Sequence, residues 1–261
     1  MKKNVLVLSL AAAVLAACGG GGGGDEPAPA PAPAPAPVVP SNAAEGIWNG
    51  KTSANRDISG IVLNDGTYYV MYSAPANPSV LDGVIQGTGT VNGSSFSSTN
   101  GRDFNLSGAS VQGLSVSASV QAKQSLNGTL SYNATSGGTP LTFTSTYSAD
   151  YEKTPTLGDI TGRYSGQSAI IGAVENQTIN VAADGAIAAI GSSGCASTGK
   201  ATPRARGNAF DVSITFGASP CAFPGQTFTG IAYLDPTTKR LYAASLNGAR
   251  SQIAVFLGTK Q

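Results

Sequence analysis

Leu114-Ser115-Val116-Ser117-Ala118-Ser119-Val120-Gln121-Ala122-Lys123 alternates apolar and polar residues without a break. A period of two puts Leu114, Val116, Ala118, Val120 and Ala122 on one face and Ser115, Ser117, Ser119, Gln121 and Lys123 on the other, the pattern of a strand buried on one side. Asp211-Val212-Ser213-Ile214-Thr215-Phe216 does the same in the second half of the chain. Asn64-Asp65-Gly66, Asn92-Gly93, Asp184-Gly185 and Gly207-Asn208 punctuate such runs; these pairs accept positive φ and predict turns or bulges. Asn127-Gly128 falls inside a strand-like run instead. Beyond residue 43 no stretch shows helical periodicity, and only 11% of residues are charged while Gly alone numbers 34, so neutral polar groups must cover the surface. The composition and pattern are those of an all-β protein.

A duplication organises the strands. Gly46-Ile47-Trp48-Asn49-Gly50 answers to Gly162-Arg163-Tyr164-Ser165-Gly166, and each is followed by a strand and an Asp-Gly turn, at Asp65-Gly66 and Asp184-Gly185. Gly89 to Gly93 with Phe96 is matched to Gly199 to Gly207 with Phe210, and Asn127-Gly128-Thr129-Leu130 with Tyr132 to Thr229-Gly230-Ile231-Ala232 with Tyr233. Each half holds about eight strand-sized segments with short connections, the usual size of a small closed barrel. Closure removes exposed edges, so two tandem antiparallel up-and-down barrels are predicted, over residues 44–152 and 153–261.

Gly-x-Trp at the start of a first strand resembles lipocalin and avidin-like barrels, and Gly162 to Ala188 resembles their first hairpin. The two-barrel layout, the polyglycine run Gly19 to Gly24 after Cys18 and the closing Gly258-Thr259-Lys260-Gln261 are together similar in architecture to the factor H binding and transferrin-binding lipoproteins of bacterial surfaces. No binding residue of those families matches here.

Residues 1–43 are of another kind. Lys2 and Lys3 precede the apolar run Val5 to Leu15, which is too short to span a bilayer and has the layout of a secretory signal over residues 1–17. Leu15-Ala16-Ala17-Cys18 resembles the lipobox of bacterial lipoproteins, which implies cleavage after Ala17, a lipid anchor on Cys18 and acylation of the new amino terminus. Gly19, where inner-membrane lipoproteins carry Asp, resembles the outer-membrane class. The tether, residues 18–43, opens with six glycines, Gly19 to Gly24, and continues as alternating Ala and Pro. Pro27 to Pro40 should form a polyproline II spacer of roughly 40 Å.

The chemistry available is narrow. Without Lys2 and Lys3 the 15 basic residues fall to 13 against 14 acidic ones, a net charge of about −1 that gives no pull on nucleic acid. There is no histidine, which removes the commonest general base and metal ligand. With Cys18 lipidated, Cys195 and Cys221 remain as an even pair in an oxidising compartment and predict a disulfide. Gly194 to Lys200 mimics a phosphate-binding loop, but Ala201 stands where Ser or Thr would hold magnesium and Pro203 blocks the helix that would follow. Ser197-x-x-Lys200 lacks the partner motifs of a Ser-Lys nucleophile. Asp65, Asp184 and Asp235 are turn residues, and Glu45, Glu152 and Glu175 sit in no motif. No catalytic residue, metal site or cofactor is expected.

What remains is binding. Trp48 and Tyr164, at matched positions, are candidate floors of the two barrels. Tyr68, Tyr69 and Tyr72 share one strand, Tyr69 facing opposite to the other two, and whichever set faces outward is a candidate interface. Lys200, Arg204 and Arg206 form a small basic cluster and a second candidate surface. The expectation is a non-enzymatic lipoprotein of the bacterial outer membrane, exposed at the cell surface or facing the periplasm, that displays its barrels to a protein or glycan partner. The alternative is a calycin-like carrier of a small apolar ligand, and the inward side chains decide between them: bulky ones make a packed core, small ones leave a cavity.

Overall fold

The computed structural model describes residues 42–133 and 140–261. The expected signal over residues 1–17, Cys18 and all but the last two residues of the expected tether lie outside the described residues. The rest is built almost wholly from antiparallel strands, as the alternation predicts. On β7 (Ser110–Gln121), Leu114, Val116, Ala118 and Val120 are buried and their serine neighbours face outward.

The first barrel runs through β1 (Gly46–Thr52), β2 (Asp57–Val62), β3 (Thr67–Ala74), β4 (Asn77–Thr88), β5 (Thr90–Asn92), β6 (Ser95–Asn105), β7, β8 (Ser125–Tyr132) and β9 (Leu141–Ser148). β5 is a short arm on β6, β4 pairs with β6 directly at Ile85↔Asp103, and β1 meets β9 at Gly50↔Ser145, so eight strands close on themselves. A 3-10 turn (Ala149–Glu152) and one helical turn, α1 (Leu157–Ile160), lead into the second barrel. Asp159 accepts a hydrogen bond from the Thr156 N–H at 2.7 Å and so caps the start of α1. The second barrel contains β10 (Gly162–Ile170), β11 (Ala173–Val181), β12 (Ala186–Gly191), β13 (Ala196–Pro203), β14 (Phe210–Phe216), β15 (Thr227–Leu234), β16 (Arg240–Leu246) and β17 (Ile253–Lys260), closed by β10 on β17 at Gly166↔Gly258.

The duplication is reproduced in hydrogen bonds at the turn from the second strand to the third. The Thr67 and Ala186 N–H groups each donate to the aspartate two residues back, at 2.9 Å in both. Gly66 and Gly185 take φ of 84° and 86°, and their carbonyls accept from Gly89 and Ala201 N–H at 2.9 and 2.8 Å. Gly50 and Gly166 stand where the first strand crosses the last: a Cβ would lie 1.9 Å from Thr144 O in one barrel and 2.0 Å from Leu257 O in the other. Only glycine permits that approach. One of the matches fails. Asn127 to Tyr132 lies on the seventh strand of its barrel, whereas Thr229 to Tyr233 lies on the sixth of the other. The resemblance arose because Gly128 and Gly230 each lie close against the backbone of an adjacent strand, a local need that does not mark register.

The two barrels pack side by side through their outer walls. Val84, Phe104 and Leu106 of the first form one buried cluster with Ala244, Leu246, Ile253 and Val255 of the second. Ile47, Ile61 and Leu63 form another with Tyr151, Ala209 and Ile231. Arginines frame this apolar contact. Arg250 donates through Nε to Gln86 Oε1 at 2.7 Å and through Nη2 to the Gln86 and Asn100 carbonyls at 2.9 and 2.8 Å. Arg206 binds the Glu45 carboxylate through Nε at 3.2 Å and Nη2 at 3.1 Å, and Arg204 donates to Asn64 Oδ1 at 3.1 Å.

Candidate functional site

Both barrels close one end in the same way. The Trp48 indole N–H donates to Ala44 O at 2.8 Å, and the Tyr164 hydroxyl donates to Ile160 O at 2.9 Å, four residues back in each case. Ala44 and Ile160, just ahead of the first strand, are themselves buried, so the incoming chain and one aromatic ring together make each floor.

Above the floor the barrels differ. In the first, Tyr68 and Tyr72 point inward and lie over the facing glycines of β4: a Cβ on Gly87 would fall 2.3 Å from the Tyr68 oxygen, and one on Gly83 2.1 Å from that of Tyr72. Tyr68 and Ser98 hydroxyls are 3.0 Å apart, and Asp103 accepts from the Tyr72 and Tyr132 hydroxyls, both at 2.7 Å. Burial pushes the Asp103 carboxyl above its ordinary range despite the two hydroxyls that favour its charge. Burial and then the neighbouring Asp103 push both tyrosines up as well. Arg56 stoppers the rim, paired with Asp82, donating to Ser73 O at 2.9 Å and lying 5.2 Å over the Tyr72 ring. With Phe96 and Phe143 also turned inward, the remaining cavity is about 130 Å³.

The matched positions of the second barrel are smaller. Counting from the shared Asp-Gly turn, Tyr68, Val70 and Tyr72 correspond to Ile187, Ala189 and Gly191. Ala201, Ala232, Ala243 and Ala254 also point inward, and the result is an apolar cavity of about 350 Å³. That volume falls within the range of small-molecule sites and corresponds to on the order of ten waters. Ile179, Ile187, Val212 and Phe256 line its depth, while Ser168, Glu175, Gln177 and Ser193 line its upper part. Glu175 occupies the place of Arg56. Its carboxylate lies where a Cβ on Gly191 would be, 2.2 Å from Oε1, and its Oε2 accepts from the Ser193 N–H at 2.9 Å.

Cys195 and Cys221 are joined, as predicted, across a separation of 26 residues. The bond ties the loop between β14 and β15 to the start of β13, and Cys195, Pro220 and Ala222 form part of the cavity wall. Phe223 from that loop packs on Phe228 and Phe216 with ring centroids 5.0 and 5.6 Å apart.

The candidate interfaces read differently in three dimensions. Tyr68 and Tyr72 are inside the first barrel, because alternation carries them to the face that β4 glycines leave open, and they offer nothing to an external partner. Tyr69 faces outward but is covered by the second barrel, and burial raises its hydroxyl to about 12. Arg204 and Arg206 bind the other barrel, which leaves Lys200 exposed, bonded to the Asp184 carbonyl at 2.6 Å. Glu175 is the residue that motif reasoning missed; its signal was positional, the equivalence to Arg56 through the duplicated hairpin.

No protein-family model matches the chain, and no curated protein matches it. Among solved structures it is similar to the crystal structure of a protein of unknown function from the DUF3598 family of Nostoc punctiforme, at 13% identity over 84% of this chain and 97% of that one, with a TM-score of 0.31.

Proposed function

We propose that the chain is a lipid-anchored, non-catalytic binding protein of the bacterial envelope whose second barrel carries a small, mainly apolar ligand. One observation carries the reading: two barrels of the same plan, one filled by aromatic rings and one lined by alanines around about 350 Å³. An apolar cavity of that size with a few polar groups at one end is what a hydrophobic small molecule fits. The lipobox-like Leu15 to Cys18 supports the anchor, Gly19 the outer-membrane assignment, and the absence of histidine the lack of catalysis. Display to a macromolecular partner has less support, since Tyr69, Arg204 and Arg206 are engaged between the barrels.

The test is titration of the mature protein with N-phenyl-1-naphthylamine, a dye that brightens in apolar surroundings, beside an Ala189→Phe variant that puts a ring where the cavity is. Saturable enhancement in the wild type, lost in the variant with its fold intact by circular dichroism, is the expected result. A wild type that leaves the dye dark refutes the reading.

A further inference from the structure

The upper wall of the second barrel carries a charge that the first barrel neutralises and the second does not. Glu175, inward on β11, and Arg56, one residue ahead of β2, hold matching positions across from the first strand of their barrels, Ser168↔Glu175 in the second and Thr52 N to Arg56 O in the first. Arg56 has a counter-charge within its own barrel, Asp82. Among the described residues no lysine or arginine makes a salt bridge with Glu175, and none lines the cavity. Glu175 is half-buried at the open end of the cavity, so its carboxylate is the one formal charge that a ligand entering there meets.

The carboxylate is also held in place. Gly191 leaves the room in which it sits, and the Ser193 N–H fixes Oε2. Oε1 has no hydrogen-bond donor among the described residues. Gln177 and Ser168 flank the carboxylate with neutral hydrogen-bonding groups, and below them the wall becomes Ile179, Ile187 and Ala189. From Glu175 to Val181 is six residue steps of strand, roughly 15 Å of depth once the tilt of barrel strands is allowed for. The site is therefore polar and negative at one end and apolar along the rest.

We infer that the ligand of the second barrel is an amphiphile with a cationic head, a primary or substituted amine on an aliphatic body, and that Glu175 binds the head. The inference rests on the cavity reading above and adds the chemistry of the head group. Fatty-acid-like anions are excluded by the same charge: a carboxylate head would meet Glu175 with no cation between them.

Three probes of one chain length separate the ideas: decylamine, decanol and decanoate, each used at pH 7 to displace the bound dye from the mature protein, with Glu175→Gln and Glu175→Lys beside the wild type. Gln can still accept from the Ser193 N–H, so that variant keeps the local fold. The wild type should prefer decylamine over decanoate by about tenfold or more, the worth of one charge-assisted contact. E175Q should lose that preference while holding decanol as before, and E175K should reverse it. Equal binding of the three probes, tighter binding of decanoate, or an amine preference that survives E175Q overturns the head-group inference and leaves the cavity standing. If the dye binds but no probe displaces it, the inference also falls; if neither dye nor probe binds, the cavity reading falls with it.

Discussion

Asp103 sits where a charge is least welcome in the first barrel, 5% exposed and held by two tyrosine hydroxyls. Replacing it with alanine strands both hydroxyls in an apolar core, so D103A should lose about 2 kcal/mol or more in urea denaturation. D103N keeps an acceptor and should lose less. The two also differ in pH response, and the sign follows from the raised carboxyl of the native state. A folded-state value above the unfolded one means the native protein binds more protons between the two, so this group's contribution is fully present below the ordinary carboxylate range and is lost as pH rises through the raised value. On acidification from neutrality the wild type should therefore gain stability relative to D103N. A wild-type-minus-D103N difference that stays flat from pH 7 to pH 3 would show that burial does not dominate at Asp103.

At the scale of strands, closure depends on positions where two backbones touch. Gly166→Ala places a methyl group against Leu257 O and should cost about 1–3 kcal/mol as β10 is pushed off β17, with Gly50→Ala doing the same between β1 and β9. Thermal melts of the two variants check this, and wild-type melting in both would mean the crossing tolerates a side chain. The disulfide acts on a different element, the loop over the second barrel. Removing it with Cys195→Ser and Cys221→Ser should lower stability by about 3 kcal/mol through the freed loop and speed dye release from the cavity. Much of this level was readable from residue order alone: the alternation in Leu114 to Lys123, the paired Asp-Gly turns and the Gly-x-Trp and Gly-x-Tyr openings each encode a local geometry. What needed coordinates was register across strands. Alternation separates Tyr68 and Tyr72 from Tyr69 without saying which face is inside, and Gly87 and Gly83 opposite the pair decide it. Glu175 looks like an ordinary exposed glutamate until Gly191 is seen beneath it. Thr229 to Tyr233 imitated the wrong strand because a glycine that a neighbouring strand approaches closely can fall on any strand.

For the whole molecule the shared wall matters most, and it was invisible in the sequence because a strand with both faces covered reads as an apolar run without saying what covers it. Phe104, Leu106 and Val84 are buried in a cluster that Leu246, Ile253 and Val255 of the second barrel complete. Each barrel alone would bare that patch to water, so the pair should unfold as one unit. The chain has a single tryptophan, Trp48, in the first barrel, whose emission reports that barrel alone while far-UV circular dichroism reports both. The two signals should give one midpoint. Binding then becomes a sharper probe. A ligand held in the second barrel at 100 times its Kd adds about 2.7 kcal/mol to whatever unfolds with that barrel. If the wall couples the two, saturating dye should raise the Trp48 midpoint even though Trp48 lines only the other cavity. Leu246→Asp, which puts a charge into the shared cluster, should separate the transitions and abolish the dye's effect on Trp48 emission. A Trp48 midpoint that ignores the ligand in the wild type would mean that the barrels fold independently and that the apolar wall is a contact without energetic consequence, a result at odds with the burial of Phe104 and Leu246.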